Sequence, residues 1–189
     1  FEFFPPKTDK GMENLLAARD ELAAKNPSFF SVTYGAGGST RDTTLNAVKQ
    51  IKAGGFDTAP HLSCIGQSKD ELKSILSEYQ HQGISRIVTL RGDLPSGMAG
   101  ATGELRYANE LVSFIRQEFA DHFTLEVAAY PEMHPQAQSP QQDFEAFQRK
   151  VDAGANNAIT QYFYNADAYC SFMEQCEQAG ISIPVYPGI

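Results

Sequence analysis

The feature that most constrains the fold of this chain is the regular alternation of short apolar runs with amphipathic helical stretches. Each run is typical of a buried strand, and a polar or ionisable residue stands at or near its end. Six such residues follow one another at intervals of 27 to 37 residues: Glu2, Tyr34, His61, Asp93, Tyr130 and Gln161. An interval of that length holds one strand, one helix and their connections. Strands that alternate with helices predict a parallel sheet.

Helix boundary signals support this count of strand and helix units. Ser68 with Glu71 predicts a capping box, and Ser139 followed by Pro140 predicts the start of a later helix. Glycines predict the ends of further helical stretches, at Gly54, Gly83, Gly154 and Gly180. The apolar stripe of each stretch is most simply explained by packing against the sheet.

The predicted fold is an α/β (β/α)8 TIM barrel, with about seven of the eight βα units present in this chain. The last strand signal is IPVYPGI at residues 183–189, and a closed barrel needs an eighth strand. We therefore assign residues 1–189 to a single barrel domain truncated before the eighth strand, and the start inside a strand signal also indicates part of a longer protein. The alternative, an open doubly wound sheet, is disfavoured because the glycine-rich turn YGAGGST has no acidic residue closing the next strand.

Composition and charge argue against several functional classes. The formal net charge of −8 disfavours a nucleic-acid-binding surface, which needs clustered Lys and Arg. No apolar stretch of the sequence approaches the roughly 18 residues of a membrane-spanning helix. The cysteines, Cys64, Cys170 and Cys176, form no CxxC pair, so we expect buried thiols in a reducing compartment, by default the cytoplasm.

The polar strand ends predict an enzyme, because the C-terminal ends of all strands in a parallel barrel open onto the same face. Glu2 lies between aromatic residues in FEFFPPK. Burial among those rings would raise the pKa of its carboxyl, as a general acid that works near neutral pH requires. The alternative is a strand-end Glu that pairs with a neighbouring cation.

The strand in RIVTLRGDLP ends in Arg91, Gly92 and Asp93. Arg can bind a phosphate or carboxylate through two hydrogen bonds, and Asp93 could accept from the N–H edge of a pterin or isoalloxazine ring. The alternative is an Arg–Asp ion pair at a strand end. The turn YGAGGST could likewise bring backbone N–H groups to an anion or a flat ring, although a tight βα turn is the more frequent explanation.

Metal ligation is not predicted. His61 with Cys64, and Glu132 with His134, match no common zinc-binding spacing. His61 better fits a neutral hydrogen-bonding group near a cofactor. Arg149 and Lys150 stand in the last turn of a predicted helix, where cations complement the helix dipole by default.

Seven segments, in this order, resemble the FAD-dependent 5,10-methylenetetrahydrofolate reductase family: FEFFPPK, FFSVTYGAGGSTRD, APHLSC, IVTLRGDLP, VAAYPEMHP, RKVDAGANNAITQYFY and PGI. The family fold is a (β/α)8 barrel that holds FAD at the C-terminal ends of its strands. The resemblance implies an oxidoreductase of one-carbon and methionine metabolism. In that reaction a hydride from NADH or NADPH passes through FAD to 5,10-methylenetetrahydrofolate, and the product is 5-methyltetrahydrofolate.

The resemblance also implies residue roles. Glu2 would be the general acid that protonates the bridging nitrogen of the folate, Asp93 would lie between flavin and pterin, and Gln161 would hydrogen-bond the pterin. The implied FAD contacts are Thr33, Tyr34, His61, Arg91, Gly92, Asp93, Tyr107, Ala108, Tyr130, His134, Ala137, Asp143, Arg149 and Lys150. Ala146 stands where many members of the family have Asn.

Two other function classes remain open from the sequence. One is a pterin-binding barrel without redox activity that presents a methyl donor to a partner protein. The other is a flavin-free lyase or aldolase barrel, although its usual Schiff-base Lys at a strand end is missing. For the reductase we expect folate and a nicotinamide dinucleotide as small-molecule partners, and assembly into a homo-oligomer, with no nucleic acid or membrane partner.

Overall fold

The computed structural model describes residues 1–35, 40–93 and 103–189 of the chain. Within these ranges, strands and helices alternate along the whole sequence. The strands are β1 (Glu2–Phe3), β2 (Phe30–Val32), β3 (Thr58–Ser63), β4 (Arg86–Leu90), β5 (Thr124–Ala129), β6 (Asn157–Thr160) and β7 (Val185–Tyr186). The helices are α1 (Asp9–Ala23), α2 (Arg41–Ala53), α3 (Lys69–His81), α4 (Ala108–Phe119), α5 (Pro140–Asp152) and α6 (Ala166–Gln178).

The strands form one parallel sheet whose spatial order equals the chain order, from β1 to β7. A helix follows each strand from β1 to β6. A parallel sheet that curls in this order is the architecture of a (β/α)8 barrel, so the predicted fold class is confirmed. β1 and β7 lie at the two edges of the sheet.

The helix boundaries agree with their sequence signals. Ser68 Oγ accepts a hydrogen bond from the N–H of Glu71 at 3.2 Å, and a Glu71 carboxylate oxygen accepts from the N–H of Ser68 at 2.8 Å. Ser139 Oγ accepts from the N–H of Gln142 at 3.2 Å, next to Pro140 at the first position of α5. These contacts satisfy backbone donors that a helix start leaves free. None of the described helices is long and apolar enough to cross a bilayer.

The two faces of the sheet carry different residues because side chains alternate along a strand. Leu62, Leu125 and Val127 point to the helix-covered face, where they belong to one buried cluster with apolar residues of the helices. His61 and Glu126 lie on the opposite, inner face, in register through Val88 of β4. The inner face therefore holds ionisable groups inside a largely apolar sheet.

A polar cluster joins β4, β5 and β6 near the N-terminal end of the inner face. Arg86 donates to Oε1 of Glu126 through Nη1 and to Oδ2 of Asp57 through Nε, the latter at 3.2 Å. Asn157 Nδ2 donates to the same Oε1 of Glu126 at 2.9 Å. Glu126 is fully buried. We refer to Asp57, Arg86, Glu126 and Asn157 as the Arg86 cluster.

Candidate active site

The predicted site residues lie at the C-terminal end of the sheet. Thr33 directly follows β2, Arg91 follows β4, Tyr130 follows β5 and Gln161 follows β6. Because the strands are parallel, these positions share one end of the sheet. His61 lies within β3 on the inner face, and Glu2 lies within the short β1.

Glu2 and His61 form a close pair. Oε2 of Glu2 lies 3.2 Å from Nε2 of His61. The His61 side chain is buried, at 10% exposure, whereas 54% of the Glu2 side chain is exposed. The atoms are within ion-pair distance, but they are not aligned as a hydrogen bond.

The expected rise in the pKa of Glu2 is wrong. The neighbouring His61 holds the pKa of the Glu2 carboxyl below its usual value, and this effect exceeds the opposing effect of burial. The aromatic neighbours do not enclose the carboxyl, because Phe1 and Phe4 are themselves exposed. The alternative was a strand-end Glu that pairs with a neighbouring cation, and the group found beside Glu2 is the imidazole of His61.

The turn after β4 is held in place by neighbouring loops. Gly92 has a φ of +79°, and a Cβ at this position would lie 2.6 Å from Cβ of Ser63, so only glycine fits without displacement. The buried thiol of Cys64 points to the carbonyl oxygens of Arg91 and Tyr107, at 3.7 and 3.6 Å. These contacts fix the backbone on which Arg91 and Asp93 are carried.

Arg91 and Asp93 do not form the ion pair that the sequence left open. Nε of Arg91 donates to the carbonyl oxygen of Gly92 at 3.2 Å. Asp93 is exposed. Burial raises the pKa of the Tyr130 phenol most, and the negative charges of Asp143 and Asp93 add to this rise. Asp93 thus offers a carboxylate at the open end of the sheet.

Tyr34 after β2 is held through Gln67, a residue that the sequence patterns did not indicate. Nε2 of Gln67 donates to the carbonyl oxygen of Ser63 at 2.7 Å and lies 3.5 Å from the hydroxyl oxygen of Tyr34. Burial raises the pKa of Tyr34. The glycine-rich turn after Tyr34 was predicted to meet an anion or ring, and its residues 36–39 lie outside the described part of the chain.

The loop between β5 and α5 brings four of the predicted cofactor residues together. The backbone N–H of His134 donates to Oδ2 of Asp143 at 2.9 Å, and the N–H of Ala137 donates to the carbonyl oxygen of His134 at 2.9 Å. The rings of Tyr130 and His134 meet edge to face, with centroids 4.6 Å apart. Asp143 in the first turn of α5 therefore orders the loop that follows Tyr130.

Lys150 is a partly buried lysine whose ammonium group contacts no carboxylate among the described residues. Its Nζ donates to the carbonyl oxygen of Ala128 and lies 5.9 Å from the centre of the Tyr130 ring. Burial lowers the pKa of Lys150 to about 8, against the smaller opposing effect of Asp143. The neighbouring Arg149 is exposed in the last turn of α5. Of these two predicted contacts, only Lys150 points into the protein.

A cavity of about 270 Å³ lies between the loop after β5, α5 and α6. Tyr130, Asp143 and Lys150 line it on one side. The remaining lining residues are largely apolar or aromatic: Pro131, Glu132, Met133, Pro140, Phe144, Phe147, Phe172 and Gln175. Aromatic walls with one buried cation suit a ligand that combines a flat ring with an anionic group.

Gln161 lies at the exposed end of β6. Its Oε1 accepts a hydrogen bond from the N–H of Tyr162 at 2.9 Å, which leaves the amide NH2 as a donor. The next turn is fixed by Glu132, whose Oε1 accepts from the N–H groups of Tyr164 and Asn165 at 3.1 and 2.8 Å. The sequence considered Glu132 only as a metal ligand, whereas here it holds the loop beside Gln161. Among the described residues, no group of three or more His, Cys, Asp or Glu side chains could hold a metal ion.

The methylenetetrahydrofolate reductase family model matches residues 1–189. The chain is a member of that family. The 5,10-methylenetetrahydrofolate reductase of Escherichia coli is 47% identical over 190 residues, which cover 100% of this chain and 62% of that protein. The methylenetetrahydrofolate reductase (NADH) 1 of Zea mays is 38% identical over 202 residues, which cover 100% of this chain and 34% of that protein. The chain thus spans less than two thirds of these relatives.

Solved structures support the fold of this family member. A Clostridium thermocellum protein that binds two copies of 5-methyl-5,6,7,8-tetrahydrofolic acid matches 99% of this chain and 64% of its own, with a TM-score of 0.70 and 16% identity. A 2,3-dimethylmalate lyase of the PEP mutase/isocitrate lyase superfamily matches 91% of this chain and 72% of its own, with a TM-score of 0.62 and 10% identity. At such low identity the likeness concerns the fold alone.

The predicted residues of this family member fall into three groups. Tyr130, Asp143 and Lys150 line the cavity, with His134 and Ala137 in the adjoining loop. Glu2, Thr33, Tyr34, His61, Arg91, Gly92, Asp93 and Gln161 lie in or just after the strands at the open end of the sheet. Tyr107 and Ala108 lie at the start of α4, joined to the second group through the Cys64 thiol, and Arg149 is exposed.

Proposed function

We propose that this chain carries the catalytic barrel of a methylenetetrahydrofolate reductase, which uses FAD and a reduced nicotinamide to convert 5,10-methylenetetrahydrofolate into 5-methyltetrahydrofolate. The observation that carries the proposal is that an aromatic cavity containing Lys150 lies at the same end of the sheet as the polar strand ends. Membership of the family supports the substrate class. Two plant relatives are named methylenetetrahydrofolate reductase (NADH) 1, which favours NADH as the hydride donor.

The cavity residues fit FAD as the resident cofactor. Nζ of Lys150 has no carboxylate partner among the described residues, so an anionic phosphate would be a suitable partner. The partly exposed rings of Tyr130 and Phe144 line the cavity and offer surfaces for a flat ring. When bound, FAD supplies the hydride-transfer chemistry that no side chain provides.

The strand-end groups would act on the folate. Glu2 would hold the proton at its carboxyl oxygen and deliver it to the bridging nitrogen, which opens the five-membered ring to a cation. The negative charge of Asp93 would stabilise that cation, because the carboxylate is not neutralised by Arg91. The free NH2 of Gln161 would donate to a pterin acceptor.

The setting of the enzyme is part of the same proposal. We propose a cytoplasmic homo-oligomer in which residues 1–189 form one barrel domain. All three cysteines are free, which suits a reducing compartment. Cys64 and Cys176 are buried as expected, but the expectation is wrong for Cys170, which is exposed on α6.

An absorption spectrum of the purified whole protein tests the proposal. We expect a yellow protein with flavin bands that bleach on addition of NADH or NADPH and return on addition of 5,10-methylenetetrahydrofolate. A colourless protein that binds 5-methyltetrahydrofolate would instead favour the barrel that presents a methyl donor. A flavin that is reduced but not reoxidised by the folate would remove the proposed substrate.

A further inference from the structure

The contact between Glu2 and His61 is made across an intervening strand. Glu2 of β1 is in register with Ser31 of β2, and Ser31 is in register with Ala59 of β3. His61 follows Ala59 by two residues, so both face the same side of the sheet. Ser31 is buried and small, which lets the longer side chains of Glu2 and His61 reach each other over β2.

The two partners differ strongly in rigidity. His61 is in the middle of β3, all of whose residues are buried. Glu2 lies in a strand of two residues at the sheet edge, and no described side chain hydrogen-bonds its carboxylate. An exposed Glu without a contact samples several rotamers, and a contact with a fixed ring restricts it. The buried Nε2 of His61 likewise has no hydrogen-bond partner in the described part of the chain.

We propose that His61 is the positioning residue of Glu2: its Nε2 holds the Glu2 carboxyl at the reaction face, and the two groups share the proton that Glu2 delivers. The inference rests on the proposed role of Glu2 as the general acid. The resemblance assigned His61 to the cofactor alone, so this role is additional.

The proton balance of this step is simple. In the proposed starting pair, the 3.2 Å contact between Nε2 of His61 and Oε2 of Glu2 closes to a hydrogen bond that holds one proton. Transfer to the folate nitrogen breaks the bond to that proton and leaves a neutral imidazole beside a carboxylate. A proton from solvent reaches the half-exposed Glu2 side and restores the pair. No electron moves in these steps.

A double-mutant cycle on the whole FAD-loaded enzyme tests the proposal. The variants are His61→Leu, Glu2→Gln and the pair, and stopped-flow absorbance follows two reactions separately: flavin reduction by NADH and reoxidation by 5,10-methylenetetrahydrofolate. We expect His61→Leu to slow reoxidation by about tenfold or more, the lower range for impaired general-acid catalysis, and to change reduction by less than about twofold. In the Glu2→Gln background, His61→Leu should have no further effect on reoxidation, because the group it positions is gone.

A second substitution and a control guard against loss of the fold or the cofactor. His61→Gln keeps a donor near the place of Nε2 but cannot carry the shared proton, so we expect partial recovery of reoxidation relative to His61→Leu. If the His61→Leu variant does not retain flavin, the double-mutant cycle with Glu2→Gln is measured with His61→Gln instead, and its result decides the test. Thr58→Val is the control. It removes a buried hydroxyl at the start of β3 that has no hydrogen-bond partner among the described residues, and it should leave both reactions unchanged.

Two failures are distinguishable. A wild-type enzyme that binds flavin but is not reoxidised by the folate contradicts the proposed function itself. A wild-type enzyme with normal reoxidation, in which His61→Leu slows that step by the same factor with and without Glu2, overturns only the positioning role. Equal slowing of reduction and reoxidation would also overturn it, since that pattern indicates a general effect on the flavin.

Discussion

The two ends of the sheet use the same residue types in opposite ways. In the Arg86 cluster, the guanidinium contacts carboxylates of both Asp57 and Glu126, so each carboxylate has a cationic partner. At the C-terminal end, Lys150 contacts no carboxylate among the described residues, and Asp93 is not paired with the nearby Arg91. Charges that are paired within the protein join strands, whereas charges without an oppositely charged partner remain available to a ligand.

The largest expected effect is on the N-terminal end of the sheet. Arg86→Met leaves the fully buried Glu126 carboxylate with only the Asn157 amide. We expect the free energy of unfolding to fall by about 3 kcal/mol, the lower range for a broken buried pair because Arg86 is itself partly exposed. Denaturant titration measures this.

The matched control for that variant is the double substitution Arg86→Met with Glu126→Leu. Removing both charges should cost less than removing Arg86 alone, because no unpaired charge stays buried. A double variant that is less stable than the single one would contradict the assignment of the cluster to strand joining. Reoxidation by folate, normalised to bound flavin, should stay unchanged in both.

At the C-terminal end, Glu2→Gln should act on the reaction and leave stability unchanged. We expect reoxidation of the flavin by the folate to slow by about 100-fold, the usual scale for loss of a general acid, and reduction by NADH to stay nearly constant. Stopped-flow absorbance separates the two steps. Equal slowing of reduction and reoxidation would contradict the general-acid role of Glu2. The Glu2 carboxylate would then be a structural charge, like those of the Arg86 cluster.

Lys150→Met tests whether the buried cation serves a ligand. We expect the dissociation constant of FAD to rise by about tenfold or more, the scale of a lost charge-assisted hydrogen bond. Flavin fluorescence quenching measures it. Lys73→Met removes a cation whose partner is Glu118 on the protein surface, and it should leave FAD affinity constant. Unchanged affinity in Lys150→Met would place this lysine with the structural charges.

Lys150 also predicts a pH signature in the protein without FAD. Burial holds its pKa near 8 in the folded state, below the ordinary value of 10.5. Between these values the unfolded chain binds more protons, so stability should rise with pH from about 8 to about 10.5. The penalty for burying the cation is fully present below pH 8. Thermal unfolding at several pH values should show the rise in the wild type and its loss in Lys150→Met.

The smallest expected effect concerns Gln67, which links Tyr34 to the end of β3. Gln67→Leu removes the hydrogen bond to the Ser63 carbonyl and the longer contact to the Tyr34 hydroxyl. We expect FAD affinity to fall by about fivefold, the scale of one net hydrogen bond near 1 kcal/mol. Gln80→Leu, at an exposed position of α3, serves as the control. An effect of the same size in both variants would remove Gln67 from the cofactor site.

Much of the site was predictable because its signals are local. Strand ends follow from short apolar runs, and the parallel direction follows from their alternation with helices. Thr33, Arg91, Tyr130 and Gln161 therefore lie at the expected end of the sheet. The roles of Gln67 and Glu132 were not predicted. Each side chain contacts a segment that is distant in sequence, and such a contact produces no periodic pattern in the sequence.

The sequence by itself determined the order of strands and helices, the fold class and which polar residues stand at strand ends, since each depends on spacing along the chain. Only the tertiary structure decided how those residues pair. The register that brings Glu2 to His61 over Ser31, and Arg86 to Glu126, joins strands that are distant in sequence. It also reversed the expected pKa shift of Glu2, because the neighbouring imidazole of His61 outweighs the opposing effect of burial.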